Sequence, residues 1–203
     1  MTLHDGRPVA LRPVVPADRR RLVAGFEQLS QDSRRLRFLG SVSSLSDMQL
    51  AYLTEVDGHD HVAWGALDLT HPEVPGFGVG RFVRLGPDAD VAEFSLTVLD
   101  TAQGLGVGQL LLAVLAVVAP TVGVATLRGV VGRENERMTA WLLRLGAAAH
   151  GDGQDLVMDI ALPVDPATSD SAGVFVQTMD RIRETMRETY GDPAPAPAPR
   201  DEA

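Results

Sequence analysis

The residues with the clearest chemical signature form a glycine-rich loop, 103–109, in which Gly104, Gly106 and Gly108 alternate with other residue types. An apolar strand precedes the loop and an apolar helix follows it. The first N–H groups of a helix lack partners within the helix and lie at the positive end of its dipole, and glycines let the backbone approach a ligand closely. The loop is therefore a candidate site for a phosphate or diphosphate group. The alternative is a purely structural turn between strand and helix.

A dinucleotide-binding fold of the Rossmann type fits this loop poorly. Gly104 and Gly106 supply the G-x-G spacing, but Gln109 stands where the third glycine is required. No acidic residue follows about 20 positions later, where such folds hold the ribose.

Composition excludes several other kinds of chemistry. The chain has no Cys, which rules out disulfides, thiolate metal sites and a cysteine nucleophile. It has no Lys, which removes the usual P-loop and any Schiff base on a lysine. No Gly-x-Ser-x-Gly elbow is present. The loop 55–61 combines carboxylates with His59 and His61, but no second ligand cluster accompanies it, and we expect no metal site.

The net charge and the distribution of apolar residues limit the kinds of partner that the chain can have. A formal net charge of −9 disfavours nucleic acid and favours amines or basic protein surfaces. The longest apolar run, 110–120, has about half the ~20 residues of a membrane span, and Met1–Arg12 has no apolar signal-peptide region. We expect a cytoplasmic protein without nucleic-acid or membrane partners.

The elements that must position the loop follow from hydrophobic periodicity. Antiparallel strands come first and βαβ units later, so the predicted fold is α/β with a mixed sheet. Met48, Leu50 and Leu53 are the expected apolar residues of the helix after Ser46. The predicted strands are 11–15, 62–69, 77–85, 91–99, 126–131 and 154–162, and the predicted helices follow Pro16, lie near 36–38, follow Ser46, and cover 109–118 and 134–145.

We expect three segments along the chain. These are a domain at 1–162, a linker with an amphipathic helix at 163–190, and a Pro/Ala-rich disordered tail at 191–203. The apolar residues of this helix form a heptad-like stripe that packs either on the domain itself or on another subunit in a homodimer. The stripe consists of Phe175, Met179, Ile182 and Met186.

The spacing Gln103-x-x-Gly106-x-Gly108 matches the [Gln/Arg]-x-x-Gly-x-[Gly/Ala] signature of the GCN5-related N-acetyltransferase (GNAT) superfamily. The chain resembles this family over residues 8–162. Arg12-Pro13, followed by 16–18, is similar to the opening strand and first helix of the family.

Two further stretches extend the resemblance. Residues 134–138, with Leu142 and Gly146 after them, are similar to the later Asn-x-x-Met helix of the family. Residues 29–38 and 53–58 narrow the resemblance to actinobacterial protein-lysine acetyltransferase domains.

The resemblance implies a mixed, mostly antiparallel central sheet flanked by helices, with a C-terminal helical extension. It implies acetyl-CoA, or a close acyl-CoA, as the acyl donor, with its pantetheine arm beside a strand and its pyrophosphate on the loop amides. The implied donor-binding residues are Leu96, Thr97, Val98, Gln103, Gly104, Leu105, Gly106, Val107, Gly108, Gln109 and Asn135.

The resemblance also implies a general base, Glu93, which interrupts a strand of apolar and small residues. A lysine ammonium must lose a proton before it can attack a thioester, and we expect direct attack in a ternary complex because no Cys can carry the acetyl group. The preferred acceptor is a protein lysine side chain, and the alternative is a small-molecule amine. An edge-exposed or salt-bridged carboxylate without a catalytic role is the other interpretation of Glu93.

Two departures from the family pattern keep a non-catalytic acyl-CoA sensor open as an alternative. Leu105 stands where family members often have Arg or Lys, so a charge near the phosphates is missing. No Tyr follows the later helix, where many members place the acid for the leaving thiolate. His150 is the weak candidate for that role.

Overall fold

The computed structural model describes residues 1–38, 43–71, 73–151, 153 and 155–191. Apart from Gly191, the tail predicted at 191–203 lies outside these residues. Seven strands and six α-helices occur in the described part of the chain. In chain order they are β1 (Val9–Pro13), α1 (Arg19–Gln28), α2 (Gln31–Phe38), α3 (Asp47–Thr54), β2 (His61–Asp68), β3 (Gly78–Arg84), β4 (Val91–Val98), α4 (Val107–Val118), β5 (Thr126–Gly132), α5 (Glu136–Arg144), β6 (Ala148–His150), β7 (Asp155–Ala161) and α6 (Asp170–Tyr190).

The strands form one sheet in the order β1-β2-β3-β4-β5-β7-β6. β4 and β5 run parallel, and the other neighbouring pairs among the described strands are antiparallel. This confirms the expected α/β fold with a mixed, mostly antiparallel sheet, flanking helices and a C-terminal helix. β6 has no counterpart in the sequence prediction, because Ala148-Ala149-His150 carries none of the β-branched or aromatic residues that mark strands.

Helices cover both faces of the sheet. α3 lies on the face that carries Arg81 of β3, whose guanidinium donates to the Leu53 carbonyl at 3.2 Å. α4 lies on the opposite face, where a missing side chain at Gly80 lets the helix approach the strand. A Cβ on Gly80 would lie 3.1 Å from the Cβ of Leu111.

α3 begins where the sequence predicts a helix, but not all of its apolar residues are buried. The Ser46 hydroxyl accepts a hydrogen bond from the Gln49 N–H, which caps the helix where we expected its start. Leu50 and Leu53 are buried, but Met48, the third apolar residue named for this helix, is 83% exposed. Residues two positions apart on a helix do not share a face, and Met48 therefore points away from Leu50.

α4 is apolar on all sides because it lies between the sheet and α6. Three residues of the predicted stripe on α6, Phe175, Met179 and Ile182, are at most 2% exposed within the single chain. The stripe therefore packs on its own domain. A homodimer through the remaining surface of α6 stays a prediction.

α6 begins at Asp170, inside the segment predicted as linker, and the Ser169 hydroxyl caps it by accepting from the Ala172 N–H at 3.1 Å. Among the helices of the described residues, none has the length and apolar run that crossing a bilayer requires.

The sheet opens between β4 and β5. These strands pair over three positions, 91–93 with 126–128, and then separate. Beyond that point β4 continues beside β3 to Val98, and β5 continues beside β7 to Gly132. Where they separate, the Phe94 ring packs on Gly129, and a Cβ on that glycine would lie 2.9 Å from the ring. The divergence leaves a cleft in the middle of the sheet.

Candidate active site

A cavity of about 490 Å³ lies in the cleft between β4 and β5. Its lining comes from β4, the glycine loop, the start of α4, β5, α5, α2 and the N-terminal segment. Every site residue predicted from the sequence lines this cavity except Leu105. These residues are Glu93, Leu96, Thr97, Val98, Gln103, Gly104, Gly106, Val107, Gly108, Gln109 and Asn135.

The glycine loop has the backbone shape that its sequence predicts. Gly104 and Gly106 have φ angles of +78° and +90°, in the left-handed region that favours glycine. Gly106 is the N-cap of α4, so the free N–H groups of the first helical turn begin at the cavity. No side chain of the described residues caps α4, which leaves these donors for a ligand. A loop of this kind fits a diphosphate group.

Leu105 is the predicted loop residue that the structure places elsewhere. Its side chain packs against a core cluster that includes Leu3 and Val107, away from the cavity lining. Its carbonyl accepts a hydrogen bond from the His4 N–H at 3.1 Å. An apolar side chain at this position is drawn into the core, so Leu105 acts as an anchor for the loop.

The loop is tied to α2 and its N-cap residue through four polar side chains. Gln103 donates to the Ser33 hydroxyl at 3.2 Å, and that hydroxyl donates to the Asp100 carboxylate at 2.7 Å. Ser30 also donates to Asp100, through its N–H and its hydroxyl, each at 2.9 Å. Partial burial raises the pKa of Asp100, but these hydrogen bonds outweigh it and hold the pKa below its ordinary value. Nothing in the local sequence links Ser30 and Ser33 to Asp100, which lies about 70 positions away along the chain.

α5 forms the opposite wall. Asn135 is its N-cap, and its side-chain oxygen accepts from the Met138 N–H at 3.2 Å, which leaves the amide nitrogen for the cavity. The Arg35–Glu134 ion pair, at 2.7 Å, joins α2 to the turn before α5. The face of α5 that lines the cavity carries Arg137, Met138, Trp141 and Arg144. Trp141 is partly buried and packs against the core cluster as well as lining the cavity.

Glu93 lies on β4 at the point where β4 and β5 separate. It is exposed, and within the described residues its carboxylate forms no hydrogen bond or ion pair. Glu93 is therefore exposed and not salt-bridged within the described residues, and its role as the base stays a prediction. Both oxygens are available to accept a proton from an acceptor that approaches from outside the protein.

Arg128 is the charged residue beside Glu93 in the sheet register. Its guanidinium donates twice to Asp159, each bond 2.7 Å long. Asp159, and more weakly the charge of Glu93, raise the pKa of Arg128. The guanidinium thus attracts Glu93 electrostatically while its hydrogen bonds go to Asp159.

The polar loop 55–61 has a structural role. Asp57 accepts from three successive backbone N–H groups, those of His59, Asp60 and His61. Burial, followed by the charge of Arg81, lowers the pKa of His61 to about 4. The His61 ring nitrogen accepts from Arg81 at 3.1 Å, as a neutral imidazole can. The described residues contain no group of side chains arranged to hold a metal ion.

The candidates for an acid near the leaving group lie elsewhere. The two tyrosines pack outside the cavity, Tyr52 on His61 at 4.8 Å and Tyr190 on Trp64 at 6.2 Å between ring centroids. His150 lies on β6, 3.8 Å from Asp159, and does not line the cavity. The lining side chains that sequence reasoning missed are chiefly Ser33, His4 and Arg137, which come from distant segments and leave no local signal.

No family model matches the chain. It is similar to acetyltransferase Pat of Mycolicibacterium smegmatis, with 35% identity over 190 residues that cover 92% of this chain and 54% of that protein. The chain therefore spans about half the length of this relative. It is also similar to acetyltransferase PA5475 of Pseudomonas aeruginosa, with 30% identity over 154 residues, which are 76% of this chain and 82% of the relative.

The fold has a solved counterpart in the GNAT domain of PAT from S. lividans, at a TM-score of 0.74 and 27% identity over 80% of this chain and 95% of that domain. Sequence, fold and the cleft between β4 and β5 together define the class. The chain belongs to the GNAT superfamily of N-acetyltransferases and is similar to its actinobacterial members.

Proposed function

We propose that this chain transfers an acetyl group from acetyl-CoA to an amine, and that the preferred acceptor is a protein lysine side chain. The observation that carries the proposal is a single cavity that joins the glycine loop at one end to the free carboxylate of Glu93 at the other. Each end has the chemistry that one half of the reaction requires.

The geometry suits an extended donor with a diphosphate. The N–H groups at the start of α4 face the cavity, and Gly104 and Gly106 leave the backbone open to a phosphate. From Val98 back to Glu93, β4 spans five residues, which is about 16 Å along a strand. Since β4 has parted from β5 over this stretch, Leu96, Thr97 and Val98 lie where a pantetheine arm can bond to the main chain.

In the proposed reaction, acetyl-CoA supplies the acetyl group as a thioester, whose C–S bond breaks as the amide C–N bond forms. The Glu93 carboxylate takes the proton from the attacking amine. Since no tyrosine lies among the described residues of the cavity lining, we assign protonation of the leaving thiolate to water. Asn135 and the loop 103–109 hold and orient the donor, so that most of the rate comes from positioning.

Two features support a protein lysine as acceptor. Glu93 is exposed on the rim, where a side chain on another protein can reach it. The net charge of −9 attracts cationic acceptors. A small-molecule amine meets the same chemical requirements and is tested alongside. The chain has no lysine of its own to compete as an acceptor.

The test compares wild type with Glu93→Gln. We expect kcat for a lysine peptide to fall by about 10²–10⁴-fold, because the base is lost, while the Kd for acetyl-CoA stays within about twofold. Glu188→Gln, an exposed glutamate on α6, is the matched control and should keep full activity. Mass spectrometry of a peptide panel and a small-amine panel identifies the acceptor class.

Three results would contradict the proposal. An unchanged kcat in Glu93→Gln removes Glu93 as the base. If products form only in the small-amine panel, the acceptor is a small molecule and not a protein lysine. Tight acetyl-CoA binding with no product in either panel indicates a sensor in place of an enzyme.

A further inference from the structure

The glycine loop can bind a diphosphate through its backbone amides, but it carries no charged side chain at position 105. Leu105 is partly buried and packs against the core cluster that includes Leu3 and Val107. A diphosphate carries negative charge, and hydrogen bonds from cations to such groups are stronger than those from neutral donors. The positive charge has to come from outside the loop.

Arg137 reaches the loop from α5. Its Nη2 atom lies 3.7 Å from the position that a Cβ on Gly104 would take, which places the guanidinium beside the backbone of the loop. Arg137 lines the cavity. Within the described residues it forms no hydrogen bond or ion pair. A cation without a partner, held over an anion-binding loop, is suited to bind the anion.

His4 reaches the loop from the other side. Its Nε2 atom lies 2.9 Å from the position that a Cβ on Gly106 would take, and its ring lines the cavity. The His4 N–H donates to the Leu105 carbonyl at 3.1 Å, and Leu3 beside it is buried. The N-terminal segment is therefore fixed against the loop, with an imidazole directed at the N-terminus of α4.

We propose that Arg137, assisted by His4, binds the diphosphate of the acyl donor and replaces the basic side chain missing at position 105. This inference rests on the proposed function. Arg137 lies over Gly104, and Gly104 belongs to the loop whose amides receive the diphosphate. We therefore assign Arg137 to the diphosphate and not to the 3′-phosphate. The guanidinium can give two parallel hydrogen bonds to phosphate oxygens.

The test measures the Kd of three probes by calorimetry or NMR titration: CoA, 3′-dephospho-CoA and pantetheine. For Arg137→Gln we expect about tenfold weaker binding of CoA and of 3′-dephospho-CoA, and unchanged binding of pantetheine, which has no diphosphate. His4→Gln should weaken the first two probes about threefold. Arg20→Gln removes the same charge from an exposed position on α1 and should change none of the three.

The outcomes separate the inference from the proposed function. If wild type binds none of the probes, the proposed function fails and this inference fails with it. If wild type binds CoA and Arg137→Gln binds it equally well, this inference alone is overturned. A loss confined to CoA would move Arg137 to the 3′-phosphate and also overturn the assignment. The thermal midpoint of ligand-free Arg137→Gln should match wild type, since Arg137 is exposed and unpaired.

Discussion

The Phe94 ring lies against the backbone of Gly129, where β4 and β5 stop pairing. Phe94 is 5% exposed, so its ring has little space in which to move. The contact requires a residue without a side chain on β5, and it places a rigid aromatic group at the inner end of the cavity. Where the sheet opens, the large side chain of Phe94 on β4 thus packs against a glycine on β5.

Gly129→Ala should disturb this contact. The added methyl group would lie 2.9 Å from the ring, and overpacking of this kind destabilises by about 1–3 kcal/mol. We expect a lower free energy of unfolding in urea and weaker acetyl-CoA binding. Gly86→Ala is the control, because no atom lies within 4 Å of its Cβ position. Phe94→Leu in the Gly129→Ala background should restore part of the loss, and no restoration would contradict the contact.

Asp100→Asn should loosen the tie between α2 and the glycine loop. Because hydrogen bonds hold the pKa of Asp100 below its ordinary value of 3.8, its contribution to stability is present above that value. The contribution is lost as the pH falls through the lower pKa of the folded protein. We expect the variant to lose about 1 kcal/mol at pH 7, and the difference from wild type to shrink as the pH falls below 3.8.

Urea unfolding at pH 7, 5 and 3 measures that difference. Ser33→Ala should reproduce part of the loss, and the double variant should lose less than the sum, because both side chains belong to one hydrogen-bonded group. Strict additivity, or a loss that does not depend on pH, would argue against the Asp100 tie.

His61 should stay neutral well into the acid range. Its pKa is lowered to about 4 from an ordinary value of 6.5, so between these values the unfolded chain binds a proton that the folded protein does not. Stability therefore rises with pH across this window on account of His61. His61→Gln should flatten that rise. Ring resonances in a pH titration by NMR report the pKa directly, and protonation of His61 near pH 6 would refute the prediction.

Phe175→Ala should show that α6 belongs to the core of the domain. Phe175 is 1% exposed, and truncation of a buried Phe costs about 3–5 kcal/mol. The neighbouring Val174 is 52% exposed, so Val174→Ala should stay within about 0.5 kcal/mol of wild type. Urea unfolding compares the two. Similar small losses, together with a lower sedimenting mass, would instead place Phe175 between subunits.

Sequence reasoning found the parts of the site whose signal is local. The Gln103–Gly108 motif and Glu93 lie in short stretches whose residue types indicate their chemistry. Glu93 and most residues of the motif line the cavity. The role of Leu105 in the loop stays a prediction for its backbone amide, while its side chain packs against the core, which motif position alone does not reveal. Arg137 and His4 could not be found, because their approach to the loop depends on contacts between residues about 33 and 100 positions apart.

The helices and strands were likewise predictable only where their own residues carry the signal. Periodicity predicts that α6 has an apolar stripe but not which surface covers it, and α4 covers it here. β6 is three residues long and gains its conformation from β7, so its own sequence carries no strand signal.

The three residue pairs that join β4 to β5 are also the whole ladder between two half-sheets, β1-β2-β3-β4 and β5-β7-β6. The seam between them is short, and the cavity lies where it ends. A ligand that touches both β4 and α5 therefore bridges the two half-sheets. We expect binding at the cavity to slow amide exchange in both half-sheets, including strands that never contact the ligand.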